Sequence, residues 1–259
     1  MGMVMPAVFF GHGNPMNALQ TNAYTESWRR FGQSIPCPKA ILALSAHWYI
    51  HGSAVTGTTL PETIHDFGGF PRQLYEVTYP APGSPELARQ IQKLLSPLDV
   101  CFDEHRGLDH GVWSVLCHVF PDADIPVVQL SIDESWNAEF HYEIGRRLQP
   151  LRDEGVLIVG RGNLVHNLHT YAWGHEKAEP FDWAVRFEGE IRKLILEGQD
   201  RKLFDYRMMG DDARLSVPTP DHFLPLLYIL GLRRENDRVS FPVEGIEGGS
   251  LSMLSVCMG

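Results

Sequence analysis

The sequence predicts an α/β fold: a single domain, residues 1–259, with a mostly parallel central sheet flanked by helices. Short, nearly continuous apolar runs, typical of strands buried on both faces, alternate along the chain with segments of helical spacing. Three of these runs lead closely into a histidine, in VFFGHG, ILALSAHW and VLIVGRGNLVH. Ligands bind beyond the carboxyl ends of parallel strands, so these histidines predict a metal-binding site at that edge of the sheet.

The predicted strands are the apolar runs at residues 7–10, 41–45, 53–58, 127–131 and 156–160. The run at 53–58 is the weakest, and we expect it to pair at an edge of the sheet. The C-terminal segment GSLSMLSVCMG alternates in polarity and is rich in small residues, which predicts a last strand.

The predicted helices lie between the strands, at residues 85–95, 112–119, 136–148 and 182–197. Ser84 is a suitable N-cap for the first of them, because serine is a common capping residue and Pro85 fits the first helical position. Pro97 ends this helix at its other end. Gly198 follows the last helix where a C-cap glycine is expected. The segment 61–83 is long, aromatic and proline-rich, which is typical of a lid or a binding loop.

Composition narrows the class of partner. The formal charge is −10 and no run of lysine or arginine is present, so nucleic acid is not expected as a partner. The longest apolar stretch, residues 223–232, is too short to span a bilayer, and no membrane association is expected. No signal peptide is predicted, and few cysteines without a CxxC pair suit a reducing cytoplasm. The cysteines are Cys37, Cys101, Cys117 and Cys257.

Common catalytic motifs based on serine or on nucleotides are absent from the sequence. No serine lies in a GxSxG elbow, and no GxxxxGK[ST] phosphate loop is present. The segment GHGNPM lacks the third glycine of a dinucleotide-binding fingerprint. Nucleophilic and nucleotide-dependent enzymes are therefore poor interpretations.

Histidines are the strongest candidates for the site. His12 lies between two glycines that allow a sharp turn at a strand end, and His47 directly follows ILALSA. In TPDHFLPLLYIL, Thr219 and Pro220 predict a helix start that places His222 in the first turn. Three imidazoles at one edge predict the ligand set of a mononuclear metal site.

Two further histidines are candidates for catalysis. His166 ends VLIVGRGNLVH and is either a fourth ligand or a base beside the metal, since its ordinary pKa lies near neutrality. His110 lies just before a predicted helix, where Asp109 would orient it. Structural roles are expected for His118, within a helix, and for His141, on a solvated helix.

At these residues the chain resembles the class III extradiol ring-cleavage dioxygenases, specifically the 4,5-DOPA dioxygenase branch. The resemblance covers nearly the whole chain, and its motifs are specific in their order and spacing rather than singly. The matching stretches are PAVFFGHGNPMNAL, ILALSAHW, HDFGGFPRQLYEVTYPAPGSPELA, GLDHGVWSVL, PVVQLSID, GNLVHNL, TPDHFLPLLY and GSLSMLSV.

The resemblance implies that His12, His47 and His222 hold one divalent metal ion, that His166 lies against it, and that His110 faces the substrate. A third histidine departs from the usual set of two histidines and one carboxylate, and the neighbouring Asp221 is a weaker candidate. Three neutral ligands suit a catecholate dianion, but they also suit zinc, so Fe²⁺ and Zn²⁺ both stay open.

The implied reaction is cleavage of a DOPA-like 3,4-dihydroxyphenyl ring with O₂. A base must take protons from the catechol, and His166 is the candidate for it; His110 would position O₂ or the ring. Phe67, Phe70 and Tyr75 of the 61–83 loop are expected to cover the ring. The alternatives are a zinc-dependent hydrolase on the same scaffold and a non-enzymatic metal-binding protein.

Overall fold

The computed structural model describes residues 4–259. Its main sheet has eight strands in the order β4-β3-β5-β2-β6-β1-β10-β7, and β8 and β9 form a small hairpin of their own. Most neighbours in the large sheet are parallel, whereas three pairs are antiparallel: β3 with β5, β1 with β10, and β10 with β7. The strands are β1 Ala7–Gly11, β2 Ala40–Ile50, β3 Ser53–Thr56, β4 Val100–Asp103, β5 Val127–Asp133, β6 Val156–Gly162, β7 Val239–Ser240, β8 Ile246–Glu247, β9 Leu251–Ser252 and β10 Val256–Met258.

Helices connect the strands and cover both faces of the sheet. Two short 3₁₀ helices, Pro15–Leu19 and Asp200–Met208, supplement the α-helices. The α-helices are α1 Ala23–Ser34, α2 Arg72–Tyr75, α3 Pro85–Leu95, α4 His110–Val119, α5 Ala138–Leu148, α6 Pro150–Asp153, α7 Asp182–Leu196, α8 Asp211–Ser216 and α9 Leu224–Gly231. None of the helices between residues 4 and 259 combines the length and the apolarity that crossing a lipid bilayer requires.

The side chains of the central strands alternate between two hydrophobic cores. On β1, Phe9 packs into the core formed with α3, α5, α7 and α9, while Phe10 packs into the core formed with α1 and α4. Trp28 of α1 and Trp113 of α4 are fully buried in the second core. Burial of both faces explains why these strands read as continuous apolar runs, and the predicted α/β class with a mostly parallel sheet is confirmed.

Several element boundaries match the prediction closely. Ser84 caps α3 by accepting a hydrogen bond from the Leu87 amide, and Gly198 follows α7 with a positive φ of 68°. Helix α4 starts two residues earlier than predicted, because the Asp109 side chain caps it through the Val112 amide. The predicted helix at 136–148 begins instead at Ala138.

The prediction for residues 53–58 was wrong in position. The strand β3 is four residues long and lies between β4 and β5 rather than at an edge. The edge is taken by β4, a short, partly exposed strand that the sequence analysis missed. His141 was also misplaced: it is fully buried and hydrogen-bonds the Tyr228 hydroxyl at 3.0 Å, because α5 turns this face towards α9.

A carboxyl group under the small hairpin links pH to stability. Burial raises the pKa of Glu188, on α7, to about 7. The hydrogen bond that the Ser252 hydroxyl donates to this carboxyl and the nearby charge of Arg192 both act to lower the pKa, but burial has the larger effect. A carboxyl whose pKa is raised on folding contributes stability that is complete below its ordinary pKa. That contribution is lost as the pH rises through 7.

We therefore expect Glu188→Gln to stabilise the protein at pH 8 by up to about 3 kcal/mol, taking roughly 1.4 kcal/mol per unit of pKa, and to have little effect at pH 4. Unfolding by urea at both pH values measures the difference. Glu190→Gln, an exposed position on the same helix, is the matched control. An equal effect of Glu188→Gln at both pH values would contradict the linkage.

Candidate active site

Three neighbouring strands in the middle of the sheet bring histidines to one edge. His12 directly follows β1, and His166 lies four residues beyond β6. His47 was predicted just past the end of its strand, but β2 continues to Ile50. The pairing of β2 with β5 shifts register between Leu44 and Tyr49, so His47 lies on an irregular stretch inside the strand. Such an irregularity re-aims a side chain that regular pleating would fix.

His222 lies at the same edge of the sheet, but it precedes a helix, α9, instead of following a strand. It was predicted in the first turn of a helix, but α9 begins only at Leu224, with Pro225 in its first turn, and His222 lies in the preceding turn. Its carbonyl accepts a hydrogen bond from the Asn163 amide at 3.0 Å. A Cβ at Gly162 would lie 2.1 Å from that carbonyl oxygen, so glycine is required for this close approach.

The rings of His12, His47 and His222 form a nearly equilateral triangle. Their centroids are 5.0, 5.3 and 5.2 Å apart, and one ring nitrogen of each lies within 4.8 Å of the others. The Nε2 atoms of His47 and His222 are 3.2 Å apart. Two nitrogens bound to one ion at about 2.1 Å are separated by roughly 3 Å, so this spacing fits a shared metal ion.

The surroundings of the triangle also fit a metal. The Nδ1 atom of His12 is buried and has no hydrogen-bond partner within residues 4–259. The Nδ1 atom of His222 faces the Asp221 carboxylate, and that of His47 lies 3.5 Å from Asp66. Carboxylates behind imidazoles fix the tautomer and raise the basicity of metal-binding histidines. Burial, and then the neighbouring histidines, hold the pKa of His12 and His47 well below 6.5, which keeps them in the neutral form that binds metals.

His166 lies flat against His222. The two rings are stacked with centroids 3.5 Å apart and planes 6° apart. The His166 backbone is fixed by its amide, which donates to the Ser216 carbonyl at 2.8 Å. Burial, reinforced by His222, lowers the pKa of His166 well below its usual value. An unprotonated imidazole therefore lies beside the triangle.

His110 lies opposite, as the first residue of α4. Its ring stacks on His47 with centroids 3.9 Å apart. Its amide and Nδ1 both donate to Asp66, at 2.9 and 2.8 Å. A carboxylate only accepts, so Nδ1 must carry the proton and Nε2 is the ring nitrogen left for other contacts.

Asp66 was missed by the sequence analysis, which assigned the orienting role to Asp109. Asp109 instead lies beneath the site, fully buried, where it accepts hydrogen bonds from Ser45, Gln129 and Arg106 and caps α4. It fixes the element that carries His110, while Asp66 contacts the ring itself. The only signal for Asp66 was its place beside Phe67 in the long aromatic loop.

These residues surround a cavity of about 260 Å³. Phe67 and Phe70 of the 61–83 loop form part of its wall, where they could cover a bound ring, but Tyr75 packs behind Phe67 and does not line the cavity. This volume is slightly below the roughly 300–1,000 Å³ of typical ligand pockets, and it suits a single-ring compound. The lining consists of His12, Gly13, Asn14, Pro15, His47, Asp66, Phe67, Phe70, His110, His166, Leu168, Tyr171, Trp173, His222 and Leu251.

Comparison with known proteins gives the family. The model for the catalytic LigB subunit of aromatic ring-opening dioxygenase matches residues 7–248. The chain belongs to this family of ring-opening dioxygenases. A protein of Escherichia coli K12 named 4,5-DOPA dioxygenase extradiol is 51% identical, over 98% of this chain and 95% of its own. A Beta vulgaris protein of the same name is 38% identical, over 94% of this chain and 92% of its own.

A solved structure supports the fold. The crystal structure of an uncharacterized Escherichia coli K12 protein superimposes with a TM-score of 0.86 at 45% identity, covering 98% of this chain and 100% of that one. The predicted enzyme class, an extradiol ring-opening dioxygenase, is confirmed. The dioxygenase acts on an aromatic substrate with O₂, and its histidine triangle is able to hold a metal ion. These findings disfavour the hydrolase and the non-enzymatic protein.

Proposed function

We propose that this dioxygenase opens the ring of DOPA or a closely related 3,4-dihydroxyphenyl compound, using one divalent metal ion held by His12, His47 and His222. The observation that carries the proposal is the triangle of imidazoles at the base of a cavity sized for one ring. The names of the two relatives support the choice of substrate.

The metal ion is proposed to be Fe²⁺ for turnover, with Zn²⁺ as a competing occupant of an all-nitrogen site. When bound, it supplies positive charge for the two catechol oxygens and the electron exchange with O₂ that ring opening requires. Asp221 contacts the Nδ1 atom of His222, and Asp66 lies 3.5 Å from that of His47; neither carboxylate is proposed as a ligand.

His166 is proposed as the base. Burial keeps His166 unprotonated, so a ring nitrogen beside the triangle is available to accept a proton from a catechol hydroxyl and to return it when the ring opens. Its stacking on His222 places it as a neighbour of the triangle, which supports a role as base over that of a fourth ligand.

His110 is proposed to orient the substrate ring or O₂ through its Nε2 atom. Asp66 fixes the tautomer and the ring plane of His110 through two hydrogen bonds, so this nitrogen does not rotate away from the cavity. Phe67 packs edge-on against His110, with centroids 5.3 Å apart, and together with Phe70 it excludes water from the reacting ring.

Two wider properties complete the proposal. The chain is proposed to act as one catalytic domain over residues 1–259, because the triangle takes ligands from both its amino-terminal and its carboxyl-terminal parts. A cytoplasmic location is proposed because its four cysteines are all unpaired, as in a reducing compartment.

The test is anaerobic loading with Fe²⁺, followed by DOPA and isotopically labelled O₂. We expect oxygen uptake, a yellow ring-opened semialdehyde, and both labelled oxygen atoms in the product. Zn²⁺-loaded enzyme, which cannot exchange electrons with O₂, is the control. A product that carries oxygen only from water would indicate hydrolysis, and failure with every catechol tested would refute the proposed substrate class.

A further inference from the structure

The charge of the cavity bears on which catechols it accepts, an inference that rests on the proposed function. Asp66 is the only charged side chain among the residues that line the described cavity, and neither lysine nor arginine is among them. Two more carboxylates lie directly behind the lining. Asp221 contacts His222, and Glu247 accepts a hydrogen bond from the Tyr171 hydroxyl at 2.7 Å.

Two cationic side chains near the site do not line the cavity. Arg161 is fully buried and donates to the Gly111 carbonyl at 2.8 and 2.6 Å. Arg106 lies over the Trp48 ring and donates to Asp109. Neither guanidinium lines the cavity, so neither is placed to pair with a carboxylate on the substrate.

The mouth of the cavity is apolar and aromatic. Leu168 and Trp173 line it while 44% and 56% of their surfaces are exposed, and Tyr171 lies between them along the chain. The next residues of the chain line a neighbouring hollow, where Lys177 is outnumbered by Glu176 and Glu179. The mouth therefore offers aromatic faces, and the surplus of carboxylates lies in the hollow lined by the residues that follow it in the chain.

The substituent of the substrate must point towards this mouth. In a 3,4-dihydroxyphenyl compound, the substituent projects from the side of the ring remote from the hydroxyl at position 4. When the two hydroxyls face the histidine triangle, the substituent therefore points away from it. An ammonium group there gains from aromatic faces and nearby carboxylates, whereas a carboxylate is repelled and finds no lysine or arginine among the lining residues.

We propose that the site selects catechols whose substituent carries an ammonium group or no net charge, and discriminates against those whose substituent carries only a carboxylate. The carboxylate of an amino-acid substrate then contributes nothing to binding. An arylethylamine is accepted at least as well as the corresponding amino acid.

The experiment uses three catechols with side chains of similar length: dopamine (cationic), DOPA (zwitterionic) and 3-(3,4-dihydroxyphenyl)propanoate (anionic). Their dissociation constants are measured by calorimetry on Zn²⁺-loaded protein, which binds without turnover, and kcat/KM is measured on the Fe²⁺ form. We expect affinity to fall in that order, by about tenfold or more between dopamine and the propanoate. Dopamine gains a cation–π contact, and the propanoate suffers repulsion between like charges. Raising the salt concentration should narrow the gap.

Leu168→Arg places a cation at the mouth and is expected to bring the propanoate level with dopamine or ahead of it. Leu168→Gln, similar in size and uncharged, is the matched control and should keep the original order. Equal or tighter binding of the propanoate by the parent protein would overturn the inference. Ordered binding to the Zn²⁺ form without cleavage of any catechol by the Fe²⁺ form would instead refute the proposed function and leave the selectivity standing.

Discussion

Replacing His12, His47 or His222 by alanine is expected to remove the bound metal ion and with it all turnover. Each replacement deletes one corner of a triangle whose ring centroids are 5.0–5.3 Å apart. Groups that merely support a ligand are worth roughly 10–100-fold in metal affinity, so loss of a ligand itself should cost more than about 100-fold. Metal content after dialysis and titration with Zn²⁺ give the measurement.

A second histidine variant separates this effect from general damage to the fold. His51 is exposed, does not line the cavity and contacts Ser135 instead, so His51→Ala should bind one metal ion like the parent. Unfolding in the presence of a chelator should be similar for all variants, because the chelator removes the ion from each. Unchanged metal content in all three triangle variants would refute the ligand assignment.

The positions of the main histidines were predictable because the sheet itself encodes them. Buried parallel strands read as apolar runs, so the residues that follow β1 and β6 could be placed at one edge without knowledge of any contact. The alternation of Phe9 and Phe10 between two cores shows why those runs lack a polar face.

Asp66 was not predictable in the same way. It lies in a loop without periodicity and meets His110, 44 residues away in the sequence, through two hydrogen bonds. The preceding loop residues are fixed by distant partners, since the Trp113 indole donates to the Ile64 carbonyl at 2.8 Å. Only the packed fold brings these groups together, whereas the neighbouring Asp109 was the obvious candidate from sequence.

The local structure at His222 was misread for a different reason. Thr219 and Pro220 resemble a helix start, but the helix begins four residues after Pro220, and Pro225 occupies its first turn. The Asp221 carboxylate contacts its neighbour's ring. His222, which was expected on a helix, is therefore held in a turn. There its carbonyl accepts a hydrogen bond from the amide of Asn163, the residue that follows β6.

His166→Gln is expected to lower kcat by about 10²–10⁴-fold while metal content stays near one ion per chain, because general acid–base groups contribute that much to rate. The ring of His166 stacks on His222 rather than forming a corner of the triangle. Glutamine keeps a polar side chain of similar reach but cannot take up a proton at neutral pH. The loss should appear in the chemical step and not in substrate binding.

The measurement pairs steady-state oxygen uptake with catechol binding to the Zn²⁺ form of the same variant. A large drop in kcat with an unchanged dissociation constant supports the base, since burial and the nearby His222 keep His166 unprotonated and able to accept a proton. His118→Gln serves as the control, because that ring is committed to the Asn17 carbonyl at 2.8 Å, outside the cavity. If His166→Gln loses the metal, the residue is a fourth ligand, and if it stays fully active, His166 takes no part in the reaction.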